Sequence, residues 1–238
     1  MTSHLVALCY DANDPLRLAR FWGGFLGWET TAEDDIALLP GDDTGFRIRF
    51  LPTLARKSGQ NRAHFDLTST SLDDQQQKVA RALELGARHI DVGQSPEDDH
   101  IVLADPEGNE FCVIGPENQF LADCGFVGAL SCDGSQEVGY FWSAALGWPL
   151  VWDQDQETAI RSPHGGPKIT WGGPPLMPKN GKNRLHLDIA PPADGDHQAE
   201  VDRLVSLGAK CIDIGQGDAG WVVMADPDGN EFCVLTPR

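Results

Sequence analysis

The chain has 238 residues, 41% of them hydrophobic and 23% charged, a balance that excludes a disordered polymer and leaves room for one large domain or two ordinary ones. Acidic residues outnumber basic ones 36 to 18, for a formal net charge of -18, which argues against nucleic acid and anionic membranes as partners because both call for clustered Lys and Arg. No apolar run approaches the ~20 residues of a membrane span, and residues 1–11 lack the basic start and long apolar stretch of a secretory signal, so a cytoplasmic location is expected.

In chain order, residues 5–10 form a short apolar run of strand length. Asp14-Pro15 then opens a helix, with Asp as its cap and Pro in its first turn. Leu18, Phe21, Trp22, Phe25 and Leu26 follow at spacings of three and four, making one apolar face, and Gly27 ends the helix. Strands are predicted at 36–39 and 46–51, separated by the turn Pro40-Gly41-Asp42-Asp43. Residues 63–68 alternate as a half-buried strand does, sending Ala63, Phe65 and Leu67 to one face and His64 and Asp66 to the other. A second helix starts at Leu72-Asp73-Asp74, with Val79, Leu83 and Leu85 on its buried side and Gly86 at its end. Strands at 89–92, 100–103 and 110–114 complete the pattern, the last two joined by the strong turn signal Asp105-Pro106-Glu107-Gly108-Asn109.

The whole pattern then recurs. Phe21-Trp22-Gly23-Gly24-Phe25-Leu26-Gly27-Trp28 returns as Phe141-Trp142-Ser143-Ala144-Ala145-Leu146-Gly147-Trp148. Asn61-Arg62-Ala63-His64-Phe65-Asp66-Leu67 returns as Asn183-Arg184-Leu185-His186-Leu187-Asp188-Ile189. The segment 104–113 returns at 225–234. Near-constant spacing across three segments means duplication of a whole domain. The expected organisation is a first domain over 1–116, a linker over 117–125 and a second domain over 126–238, with Pro and Gly near Gly115-Pro116 stopping the last strand of the first copy. Each copy reads as two βαβββ modules, so the fold class is α+β with four modules. A helix covers one face of each module's sheet, and two modules placed edge to edge would curve the free face around a cavity.

These segments resemble the glyoxalase/bleomycin-resistance/dioxygenase (vicinal oxygen chelate, VOC) superfamily. Phe-Trp-x-x-x-Leu-Gly-Trp looks like the first helix of its domains, and Asn-Arg-x-His-x-Asp with Asp-Pro-x-Gly-Asn-Glu-Phe-Cys-Val resembles their second half. The resemblance covers nearly all of both copies and implies two glyoxalase-like domains with curved mixed sheets. It implies metal ligands or catalytic groups at His64 and Glu110 in the first copy and at His186 and Glu231 in the second. The matching places in the first modules fall at about Ala7 and Val127, neither able to bind a metal. On the fourth strand they fall near Arg47 or Arg49, and near Lys168, Thr170 or Trp171, where cations would oppose a divalent ion. Three protein ligands are the usual minimum for a retained catalytic metal, so no cofactor is expected. A divalent metal stays possible if the second modules of both copies share one cavity and pool His64, Glu110, His186 and Glu231.

Arg49, Asp66, His100, Trp171, Asp188 and Trp221 are candidate ligand-binding residues on the concave faces or their rims, His100 and Trp221 being counterparts. Trp22, Trp28, Trp142 and Trp148 read as core. Each His could equally pin two strands by bonding Glu110 or Asp66. The loops 53–60 and 174–182 could close over a cavity. Of the six cysteines none forms a Cys-x-x-Cys pair, and Cys112 and Cys233 read as small buried hydrophobes, so disulfides are not expected. Nucleotide loops and nucleophile motifs are missing. The favoured function is metal-free sequestration of a hydrophobic or aromatic small molecule by a monomer or homodimer. The alternatives are a metal-dependent lyase, isomerase or dioxygenase, and an acid–base enzyme using a His–Glu pair alone.

Overall fold

A computed structural model describes residues 2–31, 36–40, 46–95, 97–217 and 219–238. The order strand, helix, three strands occurs four times. The first module comprises β1 (His4–Ala12), α1 (Pro15–Leu26), β2 (Glu29–Thr31), β3 (Ile36–Leu39) and β4 (Ile48–Pro52). The second comprises β5 (Ala63–Leu67), α2 (Leu72–Glu84), β6 (Arg88–His89), β7 (Ile101–Ala104) and β8 (Glu110–Val113). The third comprises β9 (Val127–Cys132), α3 (Gln136–Leu146), β10 (Leu150–Gln154), β11 (Glu157–Arg161) and β12 (Lys168–Trp171). The fourth comprises β13 (Leu185–Ala190), α4 (His197–Ser206), β14 (Lys210–Cys211), β15 (Val222–Ala225) and β16 (Glu231–Val234).

Local chemistry sets these elements as the residue pattern predicts, with a few exceptions. The Asp14 carboxylate accepts the Arg17 N–H at 3.0 Å, and Gly27 closes α1 in the left-handed region at φ 72°. The predicted face of α1 is buried throughout. In α2 the cap is Ser71, and the buried stripe is Gln75, Val79 and Ala82. Leu83, expected inside, is 38% exposed because Ala82 occupies the core-facing position beside it. The strand expected at 89–92 is only the two residues of β6, and β2 had no sequence signal of its own. The predicted turn at Gly41-Asp42-Asp43 lies outside the described residues.

The sheets join modules from different halves of the chain. The first sheet runs β14-β15-β16-β13-β1-β4-β3-β2, and the second runs β10-β11-β12-β9-β5-β8-β7-β6. Module one is therefore edge to edge with module four through antiparallel β1 and β13, and module two with module three through β5 and β9. The second modules of the two copies are therefore not paired edge to edge: β5 and β8, with His64 and Glu110, lie in the second sheet, and β13 and β16, with His186 and Glu231, in the first. A strand has two edges, and those of β5 are taken by β8 and β9, those of β13 by β16 and β1. No edge is left for β5 and β13 to join.

The two sheets share one core cluster drawn from all four modules. Trp22 of α1 meets Phe65 and Phe111 of the second sheet edge-on at 5.5 and 5.1 Å, while α1 also packs on β3 and β4 of the first sheet. Trp142 of α3 repeats the contact on Phe232 at 5.0 Å. The Trp22 indole N–H donates to the buried Asp105 carboxylate at 3.2 Å, and Trp142 to Asp226 at 3.3 Å. Asp105 also accepts the backbone N–H groups of Glu107 and Asn109 and the Asn109 amide, which folds the Asp-Pro-x-Gly-Asn turn around it. Glu107 in turn accepts the Asn13 and Asp14 N–H groups at the head of α1, and Asp228 accepts the Ser135 N–H and hydroxyl at the head of α3. The repeated sequence motifs are thus latches between modules.

Asp105→Ala leaves four donors without their acceptor in a dry site and is expected to cost about 2–4 kcal/mol of unfolding free energy. Trp22→Phe keeps the ring packing and loses one hydrogen bond, for about 1–2 kcal/mol. Urea denaturation of both variants checks the ranking, and an unchanged midpoint for Asp105→Ala would remove the latch from the account.

Candidate functional site

On β5 the alternation works as predicted: Phe65 and Leu67 enter the core, and His64 and Asp66 face the other way. Ser131 of β9 stands opposite His64, Thr170 of β12 beside Ser131, and Cys112 of β8 beside Asp66. The His64 Nε2 lies 3.3 Å from an Asp66 oxygen, the Ser131 hydroxyl donates to the other oxygen, and Thr170 donates to Ser131 at 3.2 Å. Burial alone would disfavour the His64 imidazolium. Hydrogen bonds to Asp66 and to the Cys112 sulfur, with the charge of Asp66, outweigh it and push His64 up to about 10. Asp66 is held below its usual value despite burial, by hydrogen bonding and charge from His64, by Ser131, and by the charge of His100. Burial pushes the Cys112 thiol up.

This cluster is the floor of a cavity of about 500 Å³. Phe120, Trp152, Trp171 and Met177 supply apolar wall, and Phe120 and Trp152 meet edge-on at 5.6 Å. Trp171 is only 2% exposed and belongs mainly to the core, with one part reaching the cavity. Its ring lies so close to Gly134 that a Cβ there would sit 2.5 Å from it. The loop bearing Met177 is fastened over the cavity by the Met177 N–H, which donates to Asp133 at 3.0 Å.

The first sheet has the same row of positions and a different result. Arg49, Cys9 and His186 are neighbours on β4, β1 and β13, as Thr170, Ser131 and His64 are in the second sheet. Arg49 donates to Asp188 at 2.7 Å, and His186 Nε2 lies 3.5 Å from the other Asp188 oxygen. Asp188 is held low although burial opposes it, by His186, Cys9 and Arg49. The His186 Nδ1 is buried without a partner among the described residues.

The carboxylates Glu110 and Glu231 are each engaged by a lysine and a backbone N–H. Glu110 accepts from Lys57 at 2.6 Å and from the Asn61 N–H at 3.2 Å; Glu231 accepts from Lys179 at 2.6 Å and from the Asn183 N–H at 3.1 Å. They tie down the loops 53–60 and 174–182. Lys168, one of the expected fourth-strand cations, turns to Asp123 and the Phe120 carbonyl. Trp221 is 44% exposed at the head of β15. Ala7 lies opposite Asp188, and its partner by register is Ala129 opposite Asp66, two residues beyond the expected Val127, because Ala7 precedes Phe21 by 14 positions (21 − 7) and Ala129 precedes Phe141 by only 12 (141 − 129). Sequence reasoning missed Cys9, Cys112, Ser131, Phe120 and Trp152. For Cys112 the signal was present, since it stands two residues after Glu110 and therefore on the same strand face.

As a test for a metal, two groups of three donor residues converge among the described residues. His64, Asp66 and Cys112 each offer a ligand atom within 4.8 Å of the others, and so do Cys9, His186 and Asp188. The second group carries Arg49 on its carboxylate, a cation where an ion would sit. Among the described residues, no guanidinium or ammonium bonds to the Asp66 carboxylate of the first group.

A family model described as the glyoxalase-like domain matches residues 7–114 and again 128–235. No match is found among curated proteins. Among solved structures the chain is similar to glyoxalase I from Zea mays, at 12% identity and a TM-score of 0.66, covering 99% of this chain and 92% of that one. It is also similar to a candidate dioxygenase from Bacillus subtilis subsp. subtilis str. 168, at 14% identity and a TM-score of 0.61, covering 99% and 85%. At these identities the likeness bears on the fold alone. Among the described residues no helix is long and apolar enough to cross a membrane.

The His64–Asp66 pair fixes a pH dependence. His64 is raised, so its contribution to stability is fully present below its ordinary value of 6.5 and is lost as pH rises toward about 10. Asp66 is lowered, so the same pair is lost in acid as pH falls below 3.8 and through its folded value. NMR of the His64 ring should show imidazolium across neutral pH. In Asp66→Asn the midpoint should drop below 6.5, because burial then acts with less opposition. A wild-type midpoint near 6.5 would contradict this.

Proposed function

Because the chain belongs to the glyoxalase-like domain family, we propose that it binds a small aromatic molecule in the second-sheet cavity, without needing a metal. The observation that carries this reading is the pairing of an aromatic wall, Phe120, Trp152 and Trp171, with a polar floor of His64, Asp66, Ser131 and Thr170. About 500 Å³ suits a drug-sized ligand. The wall supplies stacking area, and the floor supplies charged and hydroxyl groups that fix orientation. Glu110 and Glu231 act here as loop anchors, with Lys57 and Lys179 as their partners. His186, Asp188 and Arg49 form the equivalent row in the first sheet, with Arg49 bonded to Asp188.

Titration with naphthalene-sized aromatic compounds, followed by Trp fluorescence, should show saturable quenching and a raised melting temperature. Trp152→Ala should remove most of the quenching. No response to any compound in the panel counts against the reading.

A second reading has one observation in its favour, the convergence of His64, Asp66 and Cys112. In that reading these three residues hold a divalent ion, which when bound would supply Lewis-acid polarisation of a substrate oxygen for a lyase, isomerase or dioxygenase. Their surroundings favour protonated His64 and Cys112, and a metal must displace those protons, so uptake is expected to rise with pH. Elemental analysis of protein purified without chelator or affinity tag decides it. One equivalent of metal, lost in His64→Ala and Cys112→Ser, supports this reading, and no uptake up to about pH 9 removes it.

A further inference from the structure

The two sheets carry equivalent rows of positions, and the first sheet has filled its own. Arg49 reaches past its neighbour Cys9 and donates to Asp188 on β13, two strands away. In the second sheet the corresponding residue is Thr170, whose hydroxyl reaches no further than Ser131. Thr170, Ser131 and Asp66 all face the open cavity. Where the first sheet holds a guanidinium against a buried carboxylate, the second holds space against the equivalent carboxylate.

We propose that the second-sheet cavity takes a cationic ligand, a guanidinium, amidinium or protonated amine carried on an aromatic body, with Asp66 as its acceptor. Arg49 on Asp188 is the chain's own copy of that contact. The proposal rests on the reading of this cavity as a ligand site and adds the charge of what enters it.

Four observations support the sign. Asp188 accepts a guanidinium at 2.7 Å while an imidazole stands 3.5 Å from its other oxygen, so a carboxylate at this place can take a guanidinium with a histidine beside it. Among the charged groups lining the cavity, Arg62 is matched by Asp133 at 2.6 Å and His64 by Asp66, which leaves the exposed Glu157 as surplus negative charge at the rim. The wall already stabilises a cation: the Lys168 ammonium lies 4.5 Å from the centre of the Phe120 ring. The formal charge of -18 draws cations toward the protein from a distance.

Calorimetry on the full chain with benzamidine, its neutral isostere benzamide and the anion benzoate tests the proposal. Benzamidine should bind with one equivalent, and benzamide and benzoate about tenfold more weakly or worse, the scale of one charge-assisted hydrogen bond. Thr170→Arg supplies an internal guanidinium to Asp66 and should abolish benzamidine binding. Asp66→Asn, with its fold checked by circular dichroism, should bring benzamidine down to the level of benzamide. If benzamide binds as tightly as benzamidine and Thr170→Arg blocks both, the cavity stands as a ligand site and the charge preference is wrong. If no probe binds, or Thr170→Arg leaves every probe bound, the ligand reading of the cavity falls together with the proposal.

Discussion

A dry carboxylate at each of two turns holds the molecule in register. Asp105 gathers an indole N–H, two backbone N–H groups and a side-chain amide around one buried charge. Burial pushes that carboxyl up, and the four donors work in the other direction. Its indole partner comes from α1 of a different module, so the turn cannot form fully until the modules have docked. Glu107, on the same turn, also accepts from Arg184 at 2.6 Å, and Arg62 spans Asp133 and the Asp228 carbonyl in the mirrored place. Sheet edges and latches therefore depend on each other, and the cavity floor between β5 and β9 takes its precision from both.

Much of this was legible from residue spacing. The apolar face of α1, its Asp cap and its Gly stop are short-range facts, as is the alternation that sends His64 and Asp66 to one side of β5. The four-module α+β fold was legible because each segment appears twice. Edge pairing was not, since periodicity says which face a residue takes and nothing about which strand lies alongside. Cys112 illustrates the other kind of miss. Its thiol was read as apolar filling from an apolar context, and only the register of β8 against β5 brings it beside His64. Glu110 shows a partner that strand spacing does not supply: Lys57, 53 positions away in sequence on the loop 53–60.

The two sites show how few side chains separate one row from the other. Both present an imidazole beside a carboxylate on the same strand, and the neighbouring row differs chiefly in Arg49 against Thr170 and Cys9 against Ser131. A guanidinium long enough to cross one strand satisfies Asp188 internally, while a hydroxyl hands Asp66 only a relayed contact through Ser131. Duplication thus preserved the frame, and single side chains set what each copy does with it.

The exchange of modules between halves carries a consequence for ancestry. A polypeptide of half this length would own β1 and β5, each with its joining edge bare, and would present two such edges to water. The economical remedy is a twin molecule offering the same edges in return, giving a closed pair with two symmetric hollows. A single chain holding that arrangement frees the two halves from having to be identical, so Arg49 can stand in one row where Thr170 stands in the other.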